Sequence, residues 1–175
     1  VLAAQMYSQI KAQADAISSK PLPVYQSDLL AVSRSVLSDI RKLGLVAQVE
    51  EGPNKAPYVE MAWDILEAAA GFEDWNDEDQ FLDTAEMTMA FAIGYDWFYD
   101  EWTPTEQETI RNAIVDKGLQ PAKQAYDNGY DRNTGGAWWA NATHNWNTVV
   151  NGGISNGALA IADENSTIEA LAGEL

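Results

Sequence analysis

The sequence predicts an all-α domain built from antiparallel helical hairpins, and three observations predict it. Apolar residues recur at helical spacing in segment after segment, with no convincing period-two alternation anywhere. Proline, glycine and capping signals divide those segments at short intervals. One segment, Met87 to Tyr95, is apolar on nearly every side, as a helix is when other helices surround it. The 175 residues suffice for one sizeable core, so a single domain over 1–175 is expected. No strict repeat is present, which sets the chain apart from TPR-like and ankyrin-like arrays.

The expected first helix carries Met6, Ile10, Ala14 and Ile17 on one face and ends before Pro21 and Pro23. The second runs from Asp28 to Val46, with Leu29, Leu30, Val36, Leu37, Ile40 and Leu43 as its apolar face. A Gly-Pro-Asn turn at Gly52 follows, then a third helix from about Pro57 to Ala70 that stops at Gly71. The loop Phe72 to Gln80 is acidic. Its Asp74, Asn76 and Glu78 alternate as calcium ligands do, but the sixth-position glycine is missing and the twelfth position is Ala85, so it is not an EF-hand. The fourth helix is expected over Phe81 to Phe98. Thr103-Pro104-Thr105-Glu106 reads as a capping box that opens a fifth helix ending at Gly118. A short sixth segment spans Pro121 to Asp127, and a Gly- and Asn-rich loop follows to Thr143. The seventh helix runs from about Asn145 to Asp163. Ser166 and Glu169 read as the capping box of an eighth, which the chain end truncates at Leu175. With Val1 rather than Met at the start, this suggests a fragment of a longer protein.

Charge and composition narrow the function. The net charge is −17, and between Val49 and Ile110 seventeen acids face one base, Lys55. Such a surface repels nucleic acid and anionic lipid, so no nucleic-acid partner is expected. No apolar run approaches the length of a membrane span. With no cysteine and a single histidine, neither thiol catalysis nor a zinc-type ligand spacing is available. No metal or cofactor is expected in this segment, while a structural metal elsewhere in the full protein stays open.

The chemistry-bearing stretch is Gly135 to Asn147, with Trp138, Trp139 and Trp146 interleaved with Asn141, Asn145 and Asn147. Sugars offer flat C–H faces and hydroxyl rims. Aromatic rings stack on the faces, and Asn amides both donate to and accept from the rims. The loop glycines would let backbone approach a ligand closely. His144 is a candidate general base and equally a capping residue. On the helix that follows, Gly153, Gly157 and Ala160 share a face, so a neighbouring helix can pack very close, as inside a ring whose cleft meets Asn145 and Trp146. A second cluster, Gly94 to Asp100, places Tyr95 and Asp96 among aromatics. A carboxylate there is costly unless paired, so Asp96 is either a raised-pKa acid or bonded to loop amides.

Three stretches carry a family resemblance: Phe81 to Met87, Gly94 to Asp100, and Asn145 to Gly153 continuing through Gly157 to Ala162. In this order they resemble the N-terminal helical part of heparinase II/III-like polysaccharide lyases. The resemblance implies an incomplete (α/α) toroid followed by β-sheet domains in the full protein. It implies secretion or a periplasmic location, and cleavage of uronate-containing acidic polysaccharide by β-elimination. An Asn-His element of the family lies near His144-Asn145, in reversed order. Carried over, Asn145 and His144 become the catalytic candidates, with Trp138, Trp139, Trp146, Asn147, Asn141, Tyr95 and Asp96 lining the substrate. The family's catalytic Tyr and second His would lie beyond Leu175, so this chain alone is expected to be inactive. Two other readings stand beside it. One is an (α/α)-barrel glycoside hydrolase using Asp96 with Asp100 or Glu86. The other is a non-catalytic sugar-binding domain of unknown oligomeric state.

Overall fold

The computed structural model describes residues 2–78 and 81–174. Val1, Leu175, and Asp79 and Gln80 of the acidic loop lie outside the described residues. Among the described residues the chain is all helical: α1 (Leu2–Asp15), α2 (Leu30–Ala47), α3 (Ala56–Ala70), α4 (Leu82–Trp97), α5 (Pro104–Ala113), α6 (Gln120–Asp127), α7 (Asn145–Ile161) and α8 (Ser166–Gly173).

The helices form two layers. In one, α2, α4 and α7 run in the same direction. Arg34 of α2 meets Glu86 near the start of α4, and Gln48, just past α2, donates to the Trp97 carbonyl at its end. Along the other flank of α4, Gly153 and Gly157 of α7 face Ala85 and Thr88, and Tyr95 donates to Glu164 just past α7. The second layer holds the returning helices. Tyr7 reaches Glu50 at 2.6 Å, so α1 runs against α2. The Trp63 ring of α3 lies 6.0 Å from that of Trp102, at the entry to α5. Lys123 of α6 pairs with Glu174, past α8, at 3.3 Å.

Helix α4 is the centre, as its composition foretells. Its buried residues include Asp83, Thr84, Ala85, Met87, Thr88, Phe91 and Tyr95. The stripe left accessible is Glu86, Met89, Ile93, Asp96 and Trp97. Its neighbour α7 comes close for the reason the glycine face suggests. A Cβ on Gly153 would sit 2.3 Å from the Ala85 carbonyl oxygen, and one on Gly157 would sit 2.3 Å from Thr88 Cγ2.

Several local expectations need correction. The fifth helix does not stop at Gly118. It passes through a π-helical turn, Ile114–Leu119, directly into α6. Pro121 explains the wide turn, because inside a helix it supplies no N–H and crowds the carbonyl four residues back. Gly118 is instead a contact residue, since its Cβ would lie 2.5 Å from Thr88 Oγ1. Gly71 follows α3 but keeps an ordinary φ of −73°, so its left-handed freedom is unused. The cap of α8 is Asn165, whose side chain accepts from the N–H groups of Thr167 and Ile168 at 3.0 Å each. The box at Thr103 and Glu106 forms as expected. Helix α2 begins at Leu30, with Asp28 accepting from its N–H.

Candidate functional site

The loop 128–143 is fixed from within. Asp131 accepts from Asn133 N–H at 2.9 Å, Thr134 donates to the Asp131 carbonyl at 2.9 Å, and Ala137 N–H bonds the Gly129 carbonyl at 2.7 Å. The loop glycines serve this closure rather than a ligand. Gly135 has φ +69°, and a Cβ on Gly136 would lie 2.4 Å from the Gly129 oxygen. Trp139 is the anchor. It is 1% exposed, with its ring 5.1 Å from both Phe81 and Tyr126. A ring buried to that degree has no face to offer a sugar, so Trp139 supports the site from the core.

Trp138 points the other way. The Arg132 guanidinium lies 5.0 Å from its ring centroid, and the Trp146 and His144 rings lie 6.1 Å and 6.5 Å from it. These four side chains line an open cavity of about 340 Å³. A second cavity of about 530 Å³ shares Arg132 and Trp138 but has Asp77 and Glu78 on its far wall. Burial, together with nearby Asp74 and Glu78, pushes the Asp77 carboxyl above the ordinary range. An anionic group would favour the cavity bordered by His144 and Trp146 over the one bordered by Asp77 and Glu78.

His144 is the N-cap of α7. Its Nδ1 accepts from the Trp146 N–H at 3.4 Å. A neutral imidazole that accepts at Nδ1 carries its proton on Nε2, so the outward edge of the ring is a donor. In this geometry His144 can donate a hydrogen bond from Nε2 to a carboxylate, but it is not set up to remove a proton. Asn145 is exposed in the first turn of α7, where no acidic residue stands and the helix end carries partial positive charge. Asn147 is tied down, with its amide donating to the Ala140 carbonyl. Asn141 is exposed at the end of the short helical turn Trp138–Asn141.

Tyr95 and Asp96 do not join this group. Because α4 and α7 run in the same direction, these two residues stand at the far end of the layer, some 25 Å of helix from Asn145. Tyr95 is 1% exposed and donates to Glu164, whose other oxygen takes Arg111 at 3.1 Å. Burial, and then that carboxylate, pushes the Tyr95 phenol above its ordinary range. Asp96, expected among aromatics, is exposed, because the accessible stripe of α4 reaches the helix end on its side.

Sequence reasoning passed over one group. Along α2, Arg34 and Arg41 line a groove of about 470 Å³ that Ile10 and Gln13 of α1 and Glu86 of α4 also border. The available signal was two arginines seven residues apart on one helix of an acidic chain. A larger cavity, about 650 Å³, lies elsewhere. It sits between the Pro21–Val24 strap, α2 and α3, and is lined mainly by apolar side chains such as Ile17, Val36 and Met61. No aromatic ring lines it, so it lacks a stacking face for a sugar. Among the described residues no group of three His, Asp or Glu is placed to hold a metal ion, and no helix is long and apolar enough to cross a membrane. Compared with protein-family models and with curated proteins, the chain matches none.

Proposed function

We propose that this chain is the helical part of a polysaccharide lyase acting on uronate polymers, and that the corner of Arg132, Trp138, His144, Asn145 and Trp146 meets the sugar. The observation that carries this reading is the corner's chemistry. In a protein of net charge −17, one aromatic platform holds a guanidinium over its ring and stands beside a helix N-terminus with no acid in its first turn. Aromatic faces suit sugar rings, while guanidinium, imidazole N–H and amide donors suit a carboxylate.

β-Elimination removes the C5 proton of the uronate, forms the C4–C5 double bond, breaks the bond from C4 to the glycosidic oxygen and protonates that oxygen. Charge builds on the carboxylate as the proton leaves, so donors aimed there stabilise the transition state. Asn145 and the His144 Nε2–H take that role. Trp138 and Trp146 hold the ring. The base that removes the proton is assigned to no residue of this chain. Two layers of oppositely directed helices also suit an arc of an (α/α) toroid.

Of the hydrolase alternative's two carboxylate pairs, Asp96 with Glu86 is weak on geometry. Glu86 and Asp96 are ten residues apart on one helix, about 15 Å of rise, whereas a hydrolytic pair of carboxylates stands roughly 5–10 Å apart.

The test is to incubate the complete protein with uronate polymers and follow the ultraviolet absorbance of the unsaturated product. Asn145→Ala is expected to lower the rate by about 100-fold, the scale of removing one donor to developing charge. A complete protein that yields no unsaturated product from any uronate polymer ends the lyase reading. An unchanged rate in the variant ends the assignment of Asn145.

A further inference from the structure

We infer that the groove along α2, bordered by Ile10 and Gln13 of α1 and by Glu86 of α4, is a second subsite for the acidic sugar chain, with Arg34 and Arg41 taking its anionic groups and Glu86 taking a hydroxyl. This rests on the acidic-saccharide reading above and adds a place for the chain away from the corner at the start of α7. Arg34 and Arg41 are seven residues apart on α2, so they share a face and stand about 10 Å apart along the helix axis. Arg34 spends only its Nε on protein, at 3.3 Å from Glu86 Oε1, and its side chain is 57% exposed. Among the described residues Arg41 has no carboxylate partner. Its Nη2 meets the Met89 thioether at 3.5 Å. Most other bases with described contacts are already committed. Lys42, on the same wall, donates to Ser38 at 2.9 Å and lies 3.7 Å from Asp39, which Lys20 also holds.

Glu86 supplies the second half of the recognition. Its Oε1 faces Arg34, while its Oε2 is buried from solvent and has no hydrogen-bond partner. A carboxylate oxygen so placed calls for a donor. A simple anion such as sulfate satisfies the arginines but offers Oε2 nothing and meets its charge at close range. A sugar ring bearing a carboxylate or sulfate beside hydroxyls satisfies both once the Glu86 carboxylate turns Oε2 into the groove. The spacing of the arginines suits an oligomer with more than one acidic group laid along α2.

Calorimetric titration decides it, using a uronate oligosaccharide, a neutral oligosaccharide of equal length and inorganic sulfate. Wild type is compared with Arg34→Gln, Arg41→Gln and Trp138→Ala, and circular dichroism confirms that each variant stays helical. The expected result is that each arginine variant binds the uronate oligomer about tenfold more weakly, the low end for a hydrogen bond to a charged group. Binding of the neutral sugar is unchanged, and sulfate binds wild type more weakly than the uronate oligomer. If both arginine variants bind the uronate oligomer as tightly as wild type while Trp138→Ala weakens it, the groove assignment falls and the corner stands. If sulfate binds as tightly as the uronate oligomer, the role of Glu86 falls. If wild type binds no uronate oligomer, the acidic-saccharide reading falls with it.

Discussion

Gly152 and Gly153 are neighbours on α7 with opposite surroundings. A Cβ on Gly153 would press into the backbone of α4 at Ala85, whereas one on Gly152 meets nothing within 4 Å. Backbone cannot rotate aside as a side chain can, so Gly153→Ala must push the two helices apart. We expect a loss of about 1–3 kcal/mol, as for other overpacked cores. Gly152→Ala is expected to gain up to about 1 kcal/mol from helix propensity alone. Denaturant unfolding of the two variants checks the pair, and equal effects of the same sign would contradict the packing described. The sequence already showed that Gly153 and Gly157 share a face. It could not show that Trp138 and Trp139, adjacent and chemically identical, part company, one stacked under Arg132 and the other in the core. That division depends on Phe81 and Tyr126, which reach Trp139 from distant parts of the chain.

At the scale of the element, the start of α4 carries a burial cost that depends on pH. Asp83 is 2% exposed, and burial pushes its carboxyl above the ordinary range despite the hydrogen bond it accepts from Asn76 at 2.7 Å. A group whose folded pKa lies above its unfolded value makes the folded state hold the proton more tightly. The stability it contributes is present below the ordinary carboxylate value and is lost as pH rises through the folded value. Asp83→Asn removes that loss. Thermal midpoints of wild type and variant are therefore expected to diverge in the variant's favour as pH rises from about 4 towards neutrality. A constant difference over that range would contradict the assignment. Helix existence was legible here because apolar spacing and capping residues are local signals. The union of α5 and α6 was not, because Gly118 and Pro121 are breakers by local rules. Their accommodation depends on a π turn pressed against Thr88 and on Lys117 donating to the Phe72 carbonyl.

Across the whole molecule, 27 acids against 10 bases make self-repulsion a general load on the folded state. Raising ionic strength from about 0.01 M to about 0.15 M shortens the screening length from about 30 Å to about 8 Å. The thermal midpoint is expected to rise over that interval, and a fall would mean that ion pairs such as Arg111–Glu164 outweigh the repulsion. The same charge makes the corner at Arg132 and the groove at Arg34 and Arg41 stand out. Only the first was visible in the sequence as a cluster, because the second is assembled across two helices. The central claim is that the corner binds an acidic sugar, and it is tested most directly by calorimetric titration of wild type and Trp138→Ala with a uronate oligosaccharide. The expected result is saturable binding by wild type, at least tenfold weaker in the variant, in line with the loss of about 1.4 kcal/mol or more of ring stacking and cation–π contact. Equal affinities, or no binding by wild type, would contradict it.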